Sequence, residues 1–304
     1  MIRTYEIRDS KITRCSDDTG NIIIYINPDE SNRKTLLEKH EIDEHTLNSA
    51  LDPDELARVE FEPEHIAMII KRPKNYSGIE QFLFSVSSFG LFWFKSKLII
   101  VISEDIQLFE GKIFNKVLSL EEVVLKIIYG TIFHYLNHLK VINMVSDSLE
   151  QKINTSMKNE YLINLFTLEK SLVYYLNAIN SNSLVISRLR QYSAKIGFSE
   201  DSIETIDDII IENNQCYKQA EIYSNILAGL MDARVSIVSN NLNILMKTLN
   251  IITISIMVPT LVVSAFSMNV QIPLMHHQSA FWIIMGFAMS SVVIFLLVWR
   301  LKKW

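Results

Sequence analysis

Charge is missing from a sixth of this chain. Residues 248–299 contain no Asp, Glu, Lys or Arg in 52 consecutive positions, although the 304-residue protein carries 29 basic and 34 acidic side chains elsewhere. No soluble domain surface tolerates such a gap, so the chain reads as a charged body followed by a short membrane module. Cysteine is scarce as well. Cys15 and Cys216 cannot build a disulfide framework and match no zinc-ligand spacing, which fits a reducing cytosolic compartment. No basic cluster offsets the net charge of −5, so nothing invites nucleic acid as a partner. The first residues, MIRTYEIRDS, lack the apolar core of a secretory signal. A hydrophobic content of 49% excludes disorder. Phosphate-loop, dinucleotide-binding and nucleophile-elbow signatures are absent, as are internal repeats, so an enzyme reading ranks last and none is expected.

Glycine and proline are nearly missing from the second half of the body. Between Lys112 and the second apolar run the only glycines are Gly130, Gly197 and Gly229. Long helices are therefore expected near 119–155, 158–195 and 200–268, the first opened by Ser119 with Glu122 three residues on. The last has no breaker before Pro259, and a helix of that length spans roughly 100 Å at 1.5 Å per residue. The region before Ser119 is mixed. Strand-like runs occur at 22–26, 65–70, 91–94 and 97–103, with short helices at about 31–40 and 43–50. An α+β cytosolic domain at 1–118, long cytosolic helices at 119–247 and a transmembrane hairpin at 248–304 follow.

Two apolar runs, Leu249–Met268 and Phe281–Trp299, each approach the ~20 residues that cross a hydrocarbon core. Lys247 precedes the first and Arg300, Lys302 and Lys303 follow the second, while the loop VQIPLMHHQSA has no cation. Both termini are thus expected in the cytoplasm, as a multi-pass protein of the cell membrane, with Trp282, Trp299 and Trp304 as interfacial anchors. The first span carries polar residues at helical spacing. Met246, Leu249, Thr253, Met257, Thr260, Ser264 and Ser267 share one face. Such a stripe suits a tight helix–helix interface in lipid. It equally suits a pore wall with an apolar constriction, which a single hairpin cannot enclose, so that reading needs an oligomer. His134 and His138, spaced as helical metal ligands can be, lack a third ligand nearby. His276 and His277 are better placed to meet ions, although loop polarity accounts for them.

The segment GLMDARVSIVSNNLNILMKTLN, followed by a span ending in Ser-Met-Asn, resembles the CorA family of magnesium and divalent cation transporters. DEHTLNSALDPDELARVEFEPEHIAMII resembles that family's first domain, so the likeness extends over nearly the whole chain. It implies a funnel-shaped homopentamer in the lipid bilayer, with five inner helices lining a pore. Carried onto matching positions, the selectivity filter is Ser267, Met268 and Asn269. The pore-lining face and gate are Asp232, Asn243, Met246, Leu249, Met257 and Thr260, to which the spacing adds Thr253 and Ser264. A regulatory metal carboxylate falls on Asp208, with Glu212 one turn later. Three departures stand out. Serine replaces glycine at 267, the outer loop has no acid, and only Glu80 is available as a partner carboxylate near residues 74–82.

The resemblance implies a channel for hydrated Mg2+, with Co2+ as a second cargo, driven by the membrane potential. Mg2+ is the transported ion and a candidate regulatory one. Two alternatives differ from this. One keeps the architecture and transports Zn2+ or Ni2+, as ZntB-like relatives do; the other is a non-conducting, membrane-anchored regulator.

Overall fold

A computed structural model describes residues 1–15, 20–75, 82–155, 159–270, 273 and 277–302. Among these, seven strands form one sheet in the order β2-β1-β3-β7-β6-β5-β4. They are β1 (Ile2–Arg8), β2 (Lys11–Cys15), β3 (Ile22–Ile26), β4 (Arg58–Phe61), β5 (His65–Pro73), β6 (Val86–Phe94) and β7 (Leu98–Ile102). β3 and β7 pair in parallel and the other neighbours are antiparallel.

Strands β3 and β7, and β5 from Ile66 to Ile70, are apolar almost without interruption because both faces of the sheet are covered. On one side lie α1 (Glu30–Glu38) and α2 (Glu44–Leu51), whose Leu36, Leu47 and Ala50 pack with Ala67, Ile69, Ile99 and Val101. On the other lie α3 (Leu120–Thr155) and α4 (Asn159–Gln191), whose Val124, Ile128, Leu168 and Leu172 share a core with Met68, Ile70, Ile100 and Ile102. Ile69 and Ile70 thus serve different cores, as the two-residue period of a strand requires. α2 lies close against β6 because residue 90 is glycine. A Cβ there would sit 2.7 Å from the Cβ of Ala50.

Helix starts follow local chemistry. The Asp29 and Asp43 carboxylates accept from the N–H groups of Asn32 and Thr46 at 2.8 and 3.0 Å. The Ser119 hydroxyl accepts from the Glu122 N–H at 3.2 Å, while the Glu122 carboxylate accepts from the Leu118 N–H at 2.8 Å. The expected helix at 158–195 is divided at Tyr192. α4 ends at Gln191, a one-turn α5 (Ser193–Ile196) follows, and Gly197, at φ +86°, turns the chain. Then α6 (Glu200–Phe266) continues for 67 residues, and α7 is Ala280–Lys302.

The four expected strands are present, with β5 extended to Pro73 and β6 begun at Val86. β1, β2 and β4 carry charged residues along their length and lie toward the sheet's margins, which hides them in a hydrophobicity reading. Packing divides the chain into two units, Met1–Met231 and Asp232–Trp304, the division falling inside α6.

Candidate functional site

In the second unit, α6 passes through Pro259 without a break. Two opposite faces can be distinguished on it. Ile251, Ser255, Val258, Pro259, Val262 and Phe266 are half-buried and fall on one side. Phe266 stacks on Phe287 of α7, ring centroids 6.4 Å apart, so this side faces the second apolar helix. Met246, Leu249, Thr253, Met257, Thr260, Ser264 and Ser267 are all exposed. At 100° per residue they lie on the far side of the helix. Apart from Thr253, which borders a cavity shared with α7, the polar stripe therefore lies outside the interface within the hairpin. What it can meet is water, lipid or another copy of the chain. Asp232 and Asn243, nearer the start of this unit, are exposed too. A cavity of about 530 Å3 lies between Lys247–Ile254 and Phe295–Trp299, with Thr253 among its lining residues.

Three threonine hydroxyls on this helix have spent their hydrogens. Thr248, Thr253 and Thr260 donate to the carbonyls of Ile244, Leu249 and Ile256 at 2.9, 2.8 and 2.6 Å. Such bonds satisfy a polar group in lipid without a partner helix. They leave outward-facing oxygen lone pairs, acceptors suited to the protons of a cation's water shell.

Helix α6 ends at Phe266, immediately before the Ser267-Met268-Asn269 tripeptide. The Ser267 hydroxyl donates to the Ser264 carbonyl at 2.9 Å, and its backbone N–H reaches the same oxygen at 3.1 Å. Among the described residues, the non-glycine positions with positive φ are Asp9, Ser10, Asn27, Glu41 and Phe82. Ser267, Met268 and Asn269 are not among them, so serine sits at 267 without the left-handed strain that demands glycine. All three are exposed.

Asp208 is exposed and Glu212 half-buried, both in the first unit. The neighbouring Asp207 is engaged by Arg190, at 2.6 and 3.1 Å. Among the described residues no three His, Cys, Asp or Glu side chains converge as metal ligands would. Glu80 and His276 lie outside the described residues. His277 accepts from the Ser279 N–H through Nδ1 at 3.2 Å. His134 and His138 touch ring to ring, 4.4 Å between centroids, and His138 Nδ1 meets the Tyr175 hydroxyl at 2.7 Å in a buried network. Burial, helped by Glu212, pushes the Cys216 thiol up to about 12, which makes it an inert core residue.

The sequence model of the family described as CorA-like Mg2+ transporter protein matches residues 17–303. The chain belongs to the CorA family of divalent cation transporters. The cobalt/magnesium transport protein CorA of Methanocaldococcus jannaschii is 24% identical over 270 residues, covering 85% of this chain and 83% of that one. The complete structure of the CorA magnesium transporter from the same organism superposes with a TM-score of 0.83, at 20% identity, over 99% of this chain and 97% of the other. The full-length CmaX protein is similar at TM-score 0.75 and 15% identity, over 100% and 97% of the two chains. The cytoplasmic domain of ZntB from Vibrio parahaemolyticus is similar at 0.59 and 13%, over 78% and 98%. These structural likenesses carry the CorA fold. They agree with an α+β domain followed by long helices and two apolar C-terminal helices, α6 and α7, long enough to cross a bilayer.

One distinction on α6 was closed to sequence reasoning. Ser255 belongs to the same run of hydroxylated residues as Thr253, yet it faces the side of Phe266. Helical spacing already puts the two on different faces, and only the position of α7 shows which of those faces is covered.

Proposed function

We propose that this CorA protein conducts hydrated Mg2+ into the cytoplasm through a pore made by five copies of α6. The observation that carries the reading is the uninterrupted exposed face from Asn243 to Ser267, turned away from α7 and ending one residue before Met268 and Asn269. Mg2+ holds its water tightly and prefers oxygen ligands. A ring of neutral Asn269 carboxamides binds the ion through that water, and neutrality lets the ion leave again. Met246 and Leu249 form the apolar gate, and Asp232 meets the cation beyond it. Both termini are cytoplasmic, consistent with Lys247 and Arg300 at the same end of the two spans. A divalent ion then gains about 4.6 kcal/mol per 100 mV of inside-negative potential, enough to drive uptake without ATP.

The polar side chains of the stripe, Thr253, Thr260, Ser264 and Ser267, offer oxygen, the ligand type that suits Mg2+ better than Zn2+ or Ni2+. The test is Mg2+ flux into liposomes containing the purified chain, with Co2+, Zn2+ and Ni2+ in parallel. Asn269→Ala should abolish selective Mg2+ entry. Absence of flux for every divalent ion in the parent protein would point instead to a non-conducting regulator. Asp208 and Glu212 are proposed to bind the regulatory ion, and Asp208→Ala should weaken inhibition by cytosolic Mg2+. Unchanged inhibition removes Asp208 from the account.

A further inference from the structure

The first unit contains a cavity that ion conduction does not use. It has a volume of about 520 Å3 and is lined by β5 and β6 residues, the stretch Asp105–Phe114 and the early turns of α3. Arg3, Arg72, Asn75 and His134 contribute polar wall together with Asp105, Gln107 and Glu110, and Phe89, Phe114 and Ile127 contribute apolar wall. That size matches sites for small organic molecules and exceeds what one or two waters fill.

Arg72 is only 4% exposed. Its Nη2 donates to Glu104 and its Nη1 to the Pro73 carbonyl, both at 3.2 Å, yet its Nε is buried with no acceptor among the described residues. Arg3 pairs with Asp105, and its Nε is likewise buried without an acceptor. Native interiors rarely leave such donors unmatched. Of the nearby acids, Asp105 is engaged by Arg3, Glu104 by Arg72 and by Lys74 at 3.2 Å, and Glu110, also in the wall, can accept from the Gln107 side-chain amide. The unused capacity on the two arginines is of donor type.

Gly130 gives an independent indication. It lies inside the 36-residue α3, where glycine weakens a helix relative to alanine. A Cβ at this position would meet a single neighbour within 4 Å, Ile113 Cδ1 at 3.2 Å, the tip of a flexible side chain. No backbone approach requires glycine here. Its missing side chain keeps the cavity open.

We propose that this cavity binds a small organic oxyanion, a phosphate or a carboxylate, with Arg72 and Arg3 as the charged donors and Gly130 as the open floor. The Asn75 and His134 side chains add further polar contacts, and the apolar wall receives the organic body.

The test is calorimetric titration of phenyl phosphate and of benzoate into the full chain in detergent, with benzyl alcohol as the neutral control. At least one anion should saturate at one site per chain, and the stronger binder identifies the head group. Gly130→Met keeps both arginines, fills the floor and should weaken binding by about tenfold or more, with Gly130→Ala intermediate. Arg72→Met should do the same through loss of a charge-assisted donor, with near-ultraviolet circular dichroism reporting whether it folds. Binding of neither anion overturns the proposal, as does binding to Gly130→Met within about twofold of the parent.

Discussion

The side-chain amide of Asn182 closes a two-way hydrogen bond with the backbone of Lys71, accepting from its N–H at 2.9 Å and donating to its carbonyl at 2.7 Å. The residues are 111 apart in sequence, and both are buried, at 2% and 4% exposure. The reason lies in the sheet. β4 pairs with β5 only as far as Ile69, so beyond that point the outer edge of β5 has no strand beside it. Asn182 on α4 supplies the donor and acceptor that another strand would have provided, and so fastens helix to sheet.

Asn182→Leu should therefore leave a buried N–H and a buried carbonyl unpaired, at a cost of about 2–4 kcal/mol. Thermal unfolding of the detergent-solubilised protein would register this as a clear fall in Tm. A change too small to measure would mean that water replaces the amide.

Two histidines make stability depend on pH. Burial, with the Lys97 and Lys39 charges adding to it, lowers His40 to about 4, and Lys97 Nζ lies 2.7 Å from its Nδ1. Burial and then His134 lower His138 to about 4. In the unfolded chain both return to the ordinary imidazole value of about 6.5. Because the folded value is the lower one, acid favours the unfolded state. Their contribution is complete above about pH 6.5 and is lost as pH falls toward 4, by about 2–3 kcal/mol for each. Tm measured between pH 7 and pH 4 should drop steeply. His138→Gln, which keeps a polar partner for Tyr175, should flatten part of that slope.

Ser267 invites a substitution toward the family's glycine. Since its φ is not left-handed and its hydroxyl only closes a bond to Ser264, Ser267→Gly should alter Mg2+ flux by less than about twofold. Asn269→Ala should alter it far more. Equal losses from the two would place selectivity in the loop's backbone rather than in the carboxamide.

The proposed apolar gate makes an opposite prediction. Leu249→Asn keeps the helix and replaces a dewetting surface with a polar one, so resting flux should rise several-fold at high cytosolic Mg2+. An unchanged closed-state leak would remove Leu249 from the gate.

Much of the protein was legible along the chain because its causes are local. A bilayer acts on each stretch of about 20 residues separately, so the uncharged run 248–299 announces two spans whatever lies before it. Ser119 and Glu122 mark a helix start with bonds that close within four residues. The length of α6 follows from the lack of any proline or glycine able to stop it before the membrane. CorA membership was readable for a similar reason, since its motif is contiguous from Gly229 to Asn269.

Other features were decided only when distant segments met. β2 and β4 are strands because neighbours pair with them, and their own residues alternate too weakly to say so. Spacing put Thr253 and Ser255 on different faces of α6, but which face is covered was decided only when α7 took the side of Ser255. Arg3 and Arg72 reach one cavity from β1 and β5, and Gly130 holds it open from α3. The sequence by itself determined where this CorA protein can enter a membrane and which helices it makes. The tertiary structure decided which face of each helix is free, because a free face is defined by what packs against the opposite one.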